Sequence, residues 1–163
     1  MAATEGTWWQ RCGNVSQIAS AVIALIGFGA IALRVTEIRN NNRASAARQI
    51  YLGYADLDFR NPQFANPDLA KIRAAGGNTL TQYQSFVSYL LYACSEILGA
   101  FPNDHAWRHS CEYELKGHLP FLCEAQTSEP AFLQTFGQGI IDFVKSEMTR
   151  QGVTQPQCQL KAA

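Results

Sequence analysis

Hydrophobic and polar positions split the chain at residue 33. From Gln17 to Leu33 the run QIASAVIALIGFGAIAL holds no charge, and after Ser20 it holds no hydroxyl or amide side chain. As a helix rising about 1.5 Å per residue, these roughly 17 residues cover about 25 Å, the lower limit for crossing a hydrocarbon core. The pattern therefore predicts a membrane-spanning helix. Beyond it, apolar residues recur at three- and four-residue spacing, the period of amphipathic helices.

Arg34–Tyr54 is rich in good helix formers and predicts a juxtamembrane helix, with a bend expected at Asn40-Asn41-Asn42. Two Asn-Pro steps, at 61–62 and 66–67, are turn signals. Asn66 as N-cap and Pro67 in the first helical position predict a short helix Pro67–Ala75, ended by Gly76-Gly77. Asp56 and Asp58 gather no further carboxylates and read as a solvated loop. Thr79–Gly99 carries the strongest stripe: Leu80, Tyr83, Val87, Leu90, Leu91, Cys94, Ile97 and Leu98. Gln82, Gln84, Ser85, Ser88, Ser95 and Glu96 argue against a second span there.

Asn103 or Asp104 caps a helix reaching His118, with Trp107, Cys111 and Leu115 on its buried side. Pro120 interrupts this helix before a short apolar segment, Phe121-Leu122-Cys123. A last helix runs from Pro130 to Gln151 on Phe132, Leu133, Phe136, Ile140, Phe143, Val144 and Met148, weakened by Gly137 and Gly139. No stretch alternates as a strand does. The expected fold class is all-α: residues 1–16 a tail, 17–33 a transmembrane helix, 34–60 a juxtamembrane helix and connector, 61–151 a small antiparallel helical bundle, and 152–163 a flexible tail.

A cleaved signal peptide competes with the anchor, since Ala30-Ile31-Ala32 resembles a small-x-small cleavage site. The weakly charged start and the unbroken helical pattern beyond Ala32 favour the anchor. Trp8 and Trp9 stand where interfacial aromatics belong. Arg34, Arg39, Arg43 and Arg48 follow the run, against Arg11 before it, which places the carboxyl-terminal domain in the cytoplasm. Arg34, Arg39 and Arg43 are the expected headgroup-level residues, with membrane lipid as partner. The layout resembles that of many small bacterial membrane proteins, and this resemblance implies no activity.

Composition narrows the classes further. The formal net charge is +0 and no basic stripe runs along the chain, so nucleic acid is excluded as the expected partner. Five cysteines, an odd number without a CxxC pair, read as scattered reduced thiols. His105 and His109, four apart on one helix face, and Glu112 one turn on are the candidate metal ligands. They lack the His-Glu-x-x-His arrangement of zinc hydrolases, and the alternative is an exposed histidine face. No phosphate loop or haem attachment sequence occurs, so no cofactor and no enzymatic activity are expected. Phe86, Tyr89 and Tyr92 widen the apolar surface of their helix, as a central helix or a partner-binding face would. The expected function is a membrane-anchored interaction, accessory or assembly subunit, bound to another protein of a membrane complex or to itself as a homo-oligomer. A metal-binding or thiol-redox domain, and a secreted or periplasmic helical protein cleaved near Ala32, are the alternatives.

Overall fold

The computed structural model describes residues 6–153, and side chains from Ser20 onward except Ala21. The described residues are helical and contain no strand, as the all-α expectation requires. The helices are α1 (Gly6–Arg60), α2 (Pro62–Ala65), α3 (Leu69–Ala75), α4 (Gly77–Ala100), α5 (His105–Lys116), α6 (Leu119–Ser128), α7 (Pro130–Gln134) and α8 (Gln138–Arg150). The chain divides into two compact units, Met1–Asn42 and Arg43–Ala163.

In the first unit, every residue from Val22 to Leu33 is exposed. Leu25, Phe28 and Leu33 are 72, 73 and 74 % exposed, so the apolar surface runs all round the helix. Among the described residues no helix is long and apolar enough to cross a membrane. The expected span starts at Gln17, and the side chains of Gln17, Ile18, Ala19 and Ala21 lie outside the described residues, as do those of Trp8 and Trp9. Asn40, Asn41 and Asn42, where a bend is expected, are helical and lie within α1.

The second unit is built on α4, which packs against α3, α5 and α8, while α6 packs against α7 and α8. The predicted stripe is the buried face: Tyr83, Val87, Leu90, Leu91, Cys94 and Ile97 are enclosed. Each fully buried Leu or Ile adds about 1.5–3 kcal/mol relative to exposure. The end of α1 lays Ala47 and Tyr54 into the same core. Tyr54 meets Phe86 at a centroid distance of 5.7 Å, and Tyr51 meets Trp107 edge-on at 5.1 Å.

Several helix boundaries differ from expectation, each for a local reason. α1 passes through Gly53, because the missing side chain there admits Tyr89: a Cβ at 53 would overlap its hydroxyl. α3 is capped by Asp68, whose carboxylate accepts from the Lys71 amide at 3.2 Å, and not by Asn66. It ends at Gly76, whose φ of 63° favours glycine. The helix break expected at Pro120 falls just ahead of it, at Gly117-His118, and Pro120 sits in the first turn of α6, where a missing N–H costs nothing. The last helix is two, parted at Thr135–Gly137, where Gly137 takes an extended conformation (φ −65°, ψ 150°) ahead of α8.

Candidate functional site

Helix α5 carries the expected metal ligands. Its Asp104 cap accepts from the amides of Ala106 at 2.9 Å and Trp107 at 3.3 Å, and turns His105 and His109 outward to solvent. Glu112 is half-buried, and its carboxylate faces Arg108 at 3.5 Å, Arg150 of α8 at 3.6 Å and His109 Nδ1 at 3.7 Å. Two guanidiniums on one carboxylate satisfy its charge without a metal ion. Among the described residues no three His, Cys, Asp or Glu side chains converge to hold one. The cluster ties α5 to α8. Glu147, buried on α8, completes it by accepting from Arg150 Nε at 2.9 Å, a bond that raises the guanidinium pKa above its usual value.

The third histidine lies elsewhere. His118 is 1 % exposed, ahead of α6, and its Nδ1 faces the buried Tyr83 hydroxyl at 2.9 Å. Desolvation by burial lowers its pKa to about 4, so the imidazole is neutral, and Nδ1 shares a hydrogen bond with the phenol. Burial likewise raises the Tyr83 phenol. A second polar group joins α1 to α5: the buried Tyr54 hydroxyl donates to Glu114 Oε2 at 3.0 Å. Desolvation raises the carboxyl of Glu114, and that of Asp58 one turn along α1. Asp58 Oδ1 is buried without a hydrogen-bond partner. Tyr54, Tyr83 and His118 are buried, whereas Asp58 and Glu114 are half-buried.

The cysteines differ from the expected reduced thiols. Cys94 on α4 and Cys111 on α5 form a disulfide across a Cα separation of 5.8 Å, with both residues fully buried. The two helices run alongside each other, which brings together positions 17 residues apart in sequence.

The residues expected to bind a partner divide. Phe86 is buried against Tyr54, Phe64 and His118 and belongs to the core. Tyr89 is half-buried, its hydroxyl 3.4 Å from the Ile50 carbonyl, and it borders a cavity of about 410 Å³ with Leu57, Phe64, Gln82 and Ser85. Tyr92 is exposed. Of the residues expected at headgroup level, Arg34 and Arg39 are exposed in the first unit. Arg43, in the second, lies against Gly99: its Nη2 is 3.0 Å from where a Cβ would stand. Arg48 stacks over the Phe101 ring at 5.0 Å.

Two exposed side chains were not anticipated. Leu52 and Phe59 on α1 are 67 and 86 % exposed. Their spacing of seven, two helical turns, sets both on one face of the helix. No protein-family model, curated protein or solved structure matches the chain.

Proposed function

We propose that the chain is a membrane-attached helical protein whose bundle serves as an interaction, accessory or assembly subunit of a membrane complex. One observation carries this reading: an uncharged helical segment, Val22–Leu33, that exposes apolar side chains in every direction. A helix apolar all round is stable in a lipid or protein interior and not in water. The twelve residues from Val22 to Leu33 rise about 18 Å as a helix, and the sequence run back to Gln17 extends this to about 25 Å. The ion-pair hub and the two buried tyrosine pairs support a scaffold and not a catalyst, because their polar groups face one another. Arg34, Arg39 and Arg43 favour a cytoplasmic bundle.

The test is fractionation of the full-length chain expressed in bacterial cells, with an alkaline carbonate wash. Retention in the pellet until detergent is added is the expected result, and full-length chain in the aqueous supernatant overturns it.

The Cys94–Cys111 disulfide favours a second reading: an exported helical protein, cleaved near Ala32, because such bonds persist in oxidising compartments and are rare in the cytosol. The mass of the mature amino terminus separates the two. A chain starting close to residue 33 supports export, and an intact Gln17–Leu33 run overturns it.

A further inference from the structure

The described large hydrophobics exposed in the second unit are Leu52, Phe59, Tyr92 and Tyr113. Two of them, Leu52 and Phe59, lie seven residues apart on one helix. Seven residues turn about 700°, within 20° of two full turns, so both project from the same face. One step of seven the other way, the same line reaches Ser45, small and exposed. Four residues turn about 400°, so Asp56 and Arg48 flank Leu52 on either side of this line. The opposite side of the helix, with Ala47 and Tyr54, is in the core. The outer face therefore consists of a leucine at its centre, a phenylalanine at one end, a small residue at the other, and one charge of each sign placed symmetrically about the leucine.

We propose that this face pairs with the same face of a second copy of the chain, antiparallel, about a two-fold axis through Leu52. A two-fold contact must be self-complementary. In this register residue 52+n stands opposite 52−n. Leu52 then meets Leu52 of the second copy, each Phe59 covers the space left by the small Ser45, and each Asp56 faces an Arg48. A parallel pairing on the same line sets Asp56 against Asp56 and Arg48 against Arg48, which like-charge repulsion disfavours. Both charged groups are solvent-exposed, Asp56 in a surface ion pair with Arg60 at 2.9 Å and Arg48 over the Phe101 ring, and pairing exchanges these contacts for the ones across the axis. This inference names the partner within the interaction reading above and rests on that reading for its function; it concerns residues 45–59 alone, and two copies paired this way with both Val22–Leu33 runs in one bilayer require the chain to turn between Leu33 and Ser45.

The test uses the full-length chain in mild detergent, as an equal mixture of isotope-labelled and unlabelled copies. A benzophenone amino acid placed at position 45 is activated by light, and cross-linked peptides are identified by mass. Within one chain, positions 45 and 59 are about 21 Å apart along the helix, beyond its reach. The expected product joins position 45 of one copy to the peptide around Phe59 of the other. Dimer dissociation is then measured for Arg48→Asp, Asp56→Arg and the double variant. Each single change alters two symmetry-related pairs and raises Kd about tenfold, and the double change restores it. A monomer at all concentrations, cross-links from 45 to 45, or single variants that the double fails to rescue each overturn the proposal. A chain recovered in the aqueous fraction that still gives the 45–59 product refutes membrane attachment and leaves the pairing standing.

Discussion

His118 offers the sharpest test of the packing, because burying a histidine has a signature that no neighbouring group imitates. The imidazole is sealed in the core with the Tyr83 hydroxyl at 2.9 Å, and burial brings its pKa to about 4 from an ordinary value of 6.5. Between these two values the unfolded chain holds a proton that the folded chain does not. Stability then rises with pH across that window, is complete above pH 6.5, and is lost as pH falls toward 4. Between pH 7 and pH 5 the contribution of this one group falls by about 2 kcal/mol, about 20-fold in the unfolding constant.

The perturbation is His118→Asn, whose amide can donate to or accept from Tyr83 and cannot titrate. Urea unfolding followed by circular dichroism, at pH 7 and pH 5, gives the loss of stability for each protein. The quantity compared is the difference between the two losses, which cancels the cavity cost of the substitution. It also cancels Asp58 and Glu114, whose pKa values are raised by burial and whose stabilising contribution falls as pH climbs, the opposite sign. The native chain should lose about 2 kcal/mol more than the variant on acidification. Equal losses in both proteins refute the claim that His118 is buried and neutral.

Other expectations follow from single contacts. Replacing Cys94 and Cys111 together by alanine removes a cross-link spanning 17 residues and should lower unfolding stability by about 3 kcal/mol, read from urea midpoints. An effect no larger than that of other alanine pairs in the core denies the bond. Gly53→Ala should not stabilise the native chain, since the new methyl meets the Tyr89 hydroxyl. In a Tyr89→Phe background the same change should stabilise by about 1 kcal/mol, the ordinary helix-propensity gain, and thermal melts of the four proteins decide it. Asp58→Asn should raise stability at neutral pH by removing a desolvated charge whose Oδ1 has no partner, and the gain should vanish as the native carboxyl protonates. A pH-independent gain points to some other cause.

The helices that were legible in the sequence are those with a long apolar stripe or a clear side-chain cap. α4 carries its stripe for 24 residues, and α5 opens on an Asp104 cap that binds two amides, so both emerged nearly at their observed bounds. The misread boundaries fall where one residue permits two outcomes. Pro120 either ends a helix or starts one, and only the burial of Leu119, Phe121 and Leu122 decides for a start. Gly53 weakens a helix on propensity alone, and the approach of Tyr89 from α4 explains its place inside one. Gly137 parts α7 from α8 although the apolar spacing from Phe132 to Met148 stays in phase across it. The disulfide was not legible, since 17 residues part its cysteines and only the packing of α4 on α5 brings them together. For the histidines, spacing identified a shared face but not its surroundings. Two arginines on Glu112 make that face an ion-pair hub.

The same reasoning separates the two kinds of exposed apolar surface. Phe86 and Phe59 are both helical phenylalanines. Phe86 has Tyr83 and Leu90 as neighbours one turn away and is enclosed, whereas Phe59 has Ala55 and Asp56, lies at the end of α1 and stands in solvent. Flanking residues one turn away thus carry the information that residue type lacks. From Val22 to Leu33 every residue is apolar or glycine, so no orientation of the helix hides the surface from water. Around Leu52 and Phe59 the flanks are charged, so the apolar area is a narrow line and one partner of matching shape suffices to cover it. The first surface calls for lipid or a bundle, and the second for a single helix. A substitution such as Leu52→Asp should therefore abolish dimerisation while leaving sedimentation with membranes untouched, because the two demands arise from different residues.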